Sequence, residues 1–169
     1  AWEETIKAAD EAYAPGTFTT FAAYEYTSSF DLYDKYLHRN VIFRDTKELP
    51  AKIFTRADSQ DPEELWNWMN LMRSKGVESL AIPHNSNISG GAAFALTDYN
   101  GGPIDDEYTK KRAINEPLVE ITQVKGTSET HPLLSKNDEW AAFETKTGME
   151  EEKLISNLKG SYVRDAYLR

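Results

Sequence analysis

The chain has 169 residues, of which 40% are hydrophobic and 28% charged, and its formal net charge at pH 7 is -9. That length suffices for one domain with a substantial core, and the acidic balance argues against nucleic acid as a partner, because proteins that bind the phosphate backbone present a basic face. Cysteine is absent, which excludes disulfides and thiolate zinc ligands, and no apolar run approaches the roughly 20 residues of a membrane-spanning helix.

The first third of the chain is predicted to contain one helix and three strands. Apolar residues recur at helical spacing over residues 2–13, and Pro15 and Gly16 end that helix. Strands are expected in three segments rich in aromatic and β-branched residues: 17–26, 38–44 and 52–54.

A helix that leads directly into a short strand follows. Asp61 is suited to cap the helix, Pro62 suits its first turn, and Gly76 ends it. The apolar segment 78–83 then predicts a strand that ends at His84. A helix followed by a short apolar strand is typical of an α/β unit.

Polar loops alternate with shorter elements in the second half. Loops are predicted over 85–102 and 124–136 and a strand over 118–122. Helices are predicted over 105–115 and 138–145, with one or two more over 150–169. This alternation predicts an α/β fold with a mainly parallel sheet or a partial β/α barrel. Both loops would then leave the same edge of the sheet, which brings His84 and His131 toward one region.

The histidines and their neighbouring carboxylates indicate metal chemistry. The chain has only three histidines, and each lies close to a strand-like segment. Neutral imidazole and carboxylate groups together suit zinc, manganese or iron. The candidate ligands from this pattern are Glu25, His38, His84, Glu129 and His131.

Each candidate also has a simpler explanation. A single histidine at a strand end is more often hydrogen-bonded or exposed than a ligand, and Glu25 by itself reads as an exposed strand residue. Arg39 is either a surface charge or an anchor for phosphate. Asn85 either caps a turn or orients a ligand. Only the joint occurrence of these residues favours a metal site.

Four segments of the chain resemble one bacterial family, the domain of unknown function 3604 family. They are residues 21–27, 37–43, 81–87 and 116–132, of which the last is the longest and most specific. That family is similar to the PHP (polymerase and histidinol phosphatase) superfamily of metal-dependent phosphoesterases. The resemblance implies a distorted β/α barrel with a site for two or three divalent metal ions at the carboxyl ends of the strands. It also implies a small-molecule substrate, for which a phosphoester is the default of the superfamily.

The resemblance also assigns roles to individual residues. Glu25 matches the carboxylate that bridges metal ions, and His38 and His84 match histidine ligands. Glu129 and His131 match a motif of the narrower family. The expected metal ligands are therefore Glu25, His38, His84 and Glu129, and the residues expected to contact substrate or transfer protons are Arg39, Asn85 and His131.

Two superfamily motifs are missing from the chain. It contains neither His-x-His nor Asp-x-His. We therefore expect residues 1–169 to form a single domain that is the central part of a longer metal-dependent hydrolase and is inactive alone. The alternative is a non-catalytic binding or interaction domain that kept the fold and lost the metal site. An incomplete barrel exposes sheet edges and apolar surface, which predicts self-association.

Overall fold

The computed structural model describes residues 1–30, 35–146 and 158–168, and in them the strands form three small antiparallel sheets. The strands are β1 Ala23–Tyr26, β2 Ser29–Phe30, β3 Lys35–Tyr36, β4 Arg39–Phe43, β5 Ser79–Pro83, β6 Thr122–Gln123 and β7 Gly126–Thr127. The largest sheet has the strand order β1–β4–β5, and two smaller sheets pair β2 with β3 and β6 with β7.

Two of the helices begin at a capping side chain. Asp61 Oδ1 accepts a hydrogen bond from the Glu63 amide at 2.8 Å, and Asp105 Oδ1 accepts one from the Tyr108 amide at 2.8 Å. The helices are α1 Trp2–Ala12, α2 Pro62–Ser74, α3 Asp106–Asn115 and α4 Val163–Ala166, with 3₁₀ turns at Ser86–Ile88 and Leu158–Gly160. The first three confirm the sequence prediction.

Other predicted elements are shorter or absent. The strand expected over 118–122 is reduced to its last residue within β6, and residues 52–54 form no strand. Residues 138–145 form turns instead of a helix. The segment 150–169, predicted to form one or two helices, lies partly within residues 147–157, which are outside the described residues. Its described part contains a 3₁₀ turn and α4.

The hydrophobic core lies between the β1–β4–β5 sheet and α2. The buried face of α2 presents Leu65, Trp66, Met69 and Met72, which recur at helical spacing. Tyr26, Val41, Phe43 and Ala81 complete the contact from the sheet side. Burying each large apolar side chain contributes about 1.5–3 kcal/mol, so this contact fixes the sheet that positions the candidate site.

The predicted mainly parallel sheet and partial barrel are wrong. Every strand pair in the described residues is antiparallel, and no sheet there closes into a barrel. The domain is a small α+β structure. The prediction of a parallel sheet fails because residues 44–61 already run back along the sheet before α2 begins.

Hydrogen bonds at both ends of the sheet trace that crossing. At the Tyr26 end of the sheet, the Tyr26 hydroxyl donates to the Ser59 carbonyl at 2.8 Å. At the opposite end, the Arg44 amide donates to the Glu78 carbonyl at 3.0 Å. The chain thus leaves β4, returns along the sheet and comes back through α2, so β5 starts where β4 ended and runs antiparallel to it.

This topology gathers three chain segments at one end of the sheet. Tyr26 at the end of β1 pairs with Arg39 at the start of β4, which pairs with Pro83 at the end of β5. His38 therefore precedes β4 and His84 follows β5 at the same edge, where the His84 amide donates to the His38 carbonyl at 3.2 Å.

The loops that follow β5 and β6 contact each other close to this edge. The Asn87 amide nitrogen Nδ2 donates to the Lys125 carbonyl at 3.1 Å, and the Ser128 hydroxyl donates to Asn87 Oδ1 at 3.1 Å. The Glu120 amide also donates to the Pro83 carbonyl at 3.0 Å. Among the described residues, no helix has the length and apolarity needed to cross a bilayer.

Candidate metal centre

Glu25, His38 and His84 meet at the edge of the three-stranded sheet. Each offers one potential ligand atom, and these three atoms all lie within 4.8 Å of one another. His38 Nδ1 is 3.0 Å from Glu25 Oε1, and His84 Nε2 is 3.2 Å from the same oxygen. The convergence follows from the strand register, in which Tyr26 pairs with Arg39 and Arg39 pairs with Pro83. Glu25 directly precedes Tyr26, His38 directly precedes Arg39, and His84 directly follows Pro83.

The three side chains differ in exposure. His38 and His84 are each 8% exposed, whereas the Glu25 side chain is 46% exposed. The His38 ring also packs edge-on against the ring of Tyr36, with 4.7 Å between centroids. The cluster is therefore fixed on its histidine side and open to solvent on its carboxylate side.

Hydrogen bonding within the protein satisfies this cluster only in part. His84 Nε2 lies within hydrogen-bond distance of Glu25 Oε1 at 3.2 Å. His38 Nδ1 lies 3.0 Å from the same oxygen but is buried without a hydrogen-bond partner among the described residues. His84 Nδ1 is likewise buried with none in that part of the chain. Buried polar groups are normally satisfied, so the imidazoles fit a further partner such as a cation.

The electrostatics favour the ligand form of His38. Burial lowers the pKa of His38, Glu25 acts in the opposite direction, and the electrostatic interactions with His84 and Lys125 lower the pKa further. The net effect places the pKa of His38 below its ordinary value. The imidazole is therefore neutral at pH 7, which is the form that binds a metal ion.

The donor set suits a divalent transition metal. Two imidazole nitrogens and one carboxylate oxygen are ligands that zinc, manganese and iron accept. Three protein ligands leave further coordination positions for water or substrate, as in catalytic zinc sites. The partly exposed Glu25 marks the side from which they can enter.

Arg39 is held in a buried ion-pair network and not in the cluster. Its Nε donates to Glu116 Oε1 at 2.7 Å, and Trp66 Nε1 donates to the same oxygen at 2.9 Å. Arg112 Nε donates to Glu116 Oε2 at 3.0 Å. Burial alone raises the pKa of Glu116, but Arg39 and Arg112 outweigh it and hold that pKa below its ordinary value. The catalytic role expected for Arg39 stays a prediction.

Glu129 and His131 also lie outside the group of converging ligand atoms. Glu129 Oε1 accepts a hydrogen bond from Arg164, which also bonds Asp138. His131 Nδ1 accepts one from the Leu133 amide at 3.3 Å, and its ring lies 5.7 Å from that of Tyr162. The structure does not bring these two residues together with Glu25, His38 and His84, and their roles stay predictions.

Asn85 occupies an unusual position directly after His84. Its backbone is left-handed, with φ of 61°, a conformation that asparagine tolerates better than most residues. The side chain is buried, and neither amide atom has a hydrogen-bond partner among the described residues; the same holds for the Ser86 hydroxyl. This pair of unsatisfied groups fits a polar ligand or buried water.

Sequence reasoning missed two residues that shape this region. Glu116, which neutralises Arg39, begins the segment that resembles the family most specifically, but its burial depends on a partner 77 positions away in the sequence. Lys125 belongs to the same segment and occupies the turn between β6 and β7. Its relation to the cluster depends on the contact of two loops that are distant in sequence.

The site is thus a two-histidine, one-carboxylate cluster at the edge of a small antiparallel sheet. The family model described as "Protein of unknown function (DUF3604)" matches residues 1–169, and the chain therefore belongs to that family. This match confirms the family resemblance seen in the sequence. No curated protein and no solved structure matches the chain.

Proposed function

We propose that this chain carries the metal centre of a metal-dependent hydrolase related to the PHP superfamily, with phosphoesters as its substrate class. The observation that carries the proposal is the convergence of Glu25, His38 and His84 to within 4.8 Å of one another. The sequence resemblance supports it independently, since the same three residues match ligand positions of that superfamily.

The two histidines and the carboxylate have different roles in the proposed site. The buried His38 and His84 imidazoles hold a divalent ion from the protein side, and the more exposed Glu25 carboxylate completes the set. Such an ion lowers the pKa of a bound water and stabilises charge on a phosphoryl oxygen. Glu25 neutralises part of the cation charge and borders the open side by which substrate approaches.

A non-catalytic metal-binding domain is the second candidate. It is favoured by the pairing of two predicted site residues with other side chains: Arg39 with Glu116, and Glu129 with Arg164. A domain of this kind binds the ion at the same three residues but does not turn over a substrate.

Calorimetric titration of the chain with zinc and with manganese tests the metal centre. We expect saturable binding that weakens by at least about tenfold in Glu25→Gln, His38→Ala and His84→Ala, because each variant removes a direct ligand. His131→Ala is the matched control, since it removes a histidine outside the cluster and should leave the affinity unchanged. No binding by the unmodified chain, or equal loss in His131→Ala, would contradict the proposal.

Hydrolysis of p-nitrophenyl phosphate by the manganese-loaded chain then separates the two candidates. Turnover that is lost in Glu25→Gln and kept in Glu139→Gln, which changes an exposed carboxylate outside the cluster, supports the hydrolase. Metal binding without turnover of this or other activated phosphoesters, both by the chain and by a longer protein that contains it, supports the non-catalytic domain. Circular dichroism of each variant establishes that it is folded.

A further inference from the structure

Three consecutive residues after β5 carry buried polar atoms that lack partners. The atoms are Nδ1 of His84, both amide atoms of Asn85 and the hydroxyl of Ser86, and none of them has a hydrogen-bond partner among the described residues. Asn85 and Ser86 are each 1% exposed. Because buried side-chain groups are normally satisfied, this concentration in one tripeptide indicates a bound group that supplies the missing hydrogen bonds.

The backbone of this segment is fixed although its side chains are unsatisfied. The Asn85 carbonyl accepts a hydrogen bond from the Ile88 amide at 3.1 Å. The Asn87 amide donates to the Ser128 hydroxyl at 3.2 Å, which ties the segment to a distant loop. The Asn85 and Ser86 side chains are therefore presented by an ordered turn, as expected of a binding site that is formed before its ligand arrives.

The turn borders the histidine side of the metal centre. Asn85 directly follows His84, and the His84 amide donates to the His38 carbonyl at 3.2 Å. The 3₁₀ turn Ser86–Ile88 also contacts β3, and the Tyr36 ring of β3 packs against the His38 ring with 4.7 Å between centroids. The unsatisfied side chains thus belong to a turn that adjoins both chain segments carrying a histidine ligand.

The unpartnered atoms require a group that both accepts and donates hydrogen bonds. Asn85 Nδ2 donates and the Ser86 hydroxyl can donate, whereas Asn85 Oδ1 only accepts. A fully ionised phosphate offers acceptor oxygens alone, so it would leave Oδ1 unsatisfied. A hydroxyl group donates and accepts, carries no charge and is a single heavy atom, which suits two uncharged side chains that are almost completely buried.

We propose that Asn85 and Ser86 bind a hydroxyl group of the substrate beside the metal centre, and that the substrate is a hydroxylated phosphoester of the polyol or sugar type. The inference rests on the proposed function, because the phosphoryl group of the same molecule has to reach the metal ion. A site built to hydrogen-bond a hydroxyl group rejects an analogue without it, since the buried polar groups then stay unpaired. Asn85 and Ser86 thus determine which phosphoester binds.

Binding of two phosphoesters of similar size to the manganese-loaded chain tests this role. Glycerol 1-phosphate carries hydroxyl groups that propyl phosphate lacks, and broadening of each ³¹P signal by the bound manganese gives a dissociation constant. We expect the unmodified chain to bind glycerol 1-phosphate about tenfold more tightly. Ser86→Ala should abolish most of this preference without weakening the binding of propyl phosphate. Asn85→Gly should do the same, because glycine adopts the left-handed backbone of residue 85 without strain. Asn100→Gly, which removes an exposed asparagine side chain, is the matched control and should keep the preference.

Manganese affinity, measured on the same samples, separates the possible failures. Equal binding of the two phosphoesters by the unmodified chain, or binding of neither, overturns the hydroxyl site while the metal centre stands. A preference that survives in both Asn85→Gly and Ser86→Ala overturns it as well. That result, together with a lower free energy of unfolding in both variants, would assign the unsatisfied atoms to buried water. If the unmodified chain binds no manganese, the proposed function fails and the hydroxyl site fails with it.

Discussion

Glu116 is a single buried residue that supports the backbone beside the candidate site. Its carboxylate is almost completely buried between two arginines, one at the start of β4 and one on α3. A buried ion pair adds little net stability, but removing one partner leaves an uncompensated charge. Because Arg39 directly follows His38, this network also holds the backbone next to a proposed ligand.

Glu116→Gln should therefore destabilise the fold by about 3–5 kcal/mol, the range found when a buried pair is broken. Urea unfolding followed by circular dichroism measures the change. Glu139→Gln, at an exposed position, is the control and should shift the free energy of unfolding little. A Glu116→Gln variant as stable as that control would show that the two arginines find other partners.

Glu116 also predicts the acid behaviour of the chain. Its folded-state pKa lies below the value of about 4.3 expected in an unfolded chain. The stability it contributes is present above pH 4.3 and is lost as the pH falls through the folded-state pKa. Thermal unfolding between pH 7 and pH 2 should show this loss in the unmodified chain and a flatter profile in Glu116→Gln. Parallel profiles would assign acid unfolding to other carboxylates.

At the level of residues, the sequence was most informative where the residue type is rare. Because the chain has only three histidines, each could be considered as a metal ligand, and two of them lie beside Glu25 as expected. Their convergence nevertheless arises differently from the predicted parallel sheet, because the antiparallel pairing of β4 and β5 brings the start of one strand beside the end of the other. The pairing of Arg39 with Glu116 and of Glu129 with Arg164 depends on contacts across 77 and 35 positions, which no local pattern contains.

Among the elements, α2 shows the strongest agreement between sequence and structure. Its capping residue, first-turn proline and apolar face are all local signals, and all three act as predicted. The direction of β5 relative to β4 is not determined by local sequence. It depends on residues 44–61 crossing the sheet, and their polar composition gives no sign of that path, so the parallel arrangement was predicted wrongly.

Asp61 gives a test of the capping argument. Asp61→Ala should lower the free energy of unfolding by about 1 kcal/mol, because the Glu63 amide loses its acceptor. Asp61→Asn is the control, since asparagine caps helices comparably well. Metal affinity should not change in either variant, because α2 packs on the sheet without supplying a ligand. Equal destabilisation by alanine and asparagine would indicate that the charge, and not the cap, matters.

On the scale of the whole molecule, apolar side chains remain exposed around one cleft. The cleft has a volume of about 360 Å³, and Ile121, Trp140 and Phe143 line it, with exposures of 49%, 71% and 64%. Val124, in the turn that also carries Lys125, is fully exposed. Contiguous exposed apolar surface is typical of a contact site, which keeps self-association as a prediction.

Light scattering over a range of concentrations tests that prediction. We expect the mean mass to rise with concentration, and Trp140→Ser with Phe143→Ser to suppress the rise. Leu96→Ser is the control, because Leu96 is 66% exposed but does not line the cleft. A strictly monomeric chain at high concentration would refute self-association.

The central claim, that Glu25, His38 and His84 bind one metal ion together, is tested most directly by X-ray absorption spectroscopy of the zinc-loaded chain. We predict nitrogen and oxygen neighbours at about 2.0–2.2 Å, with the multiple-scattering signal of two imidazoles. One of those imidazoles should disappear in His38→Ala and both should remain in His131→Ala. A spectrum without imidazole scattering, or one that changes only in His131→Ala, would contradict the account.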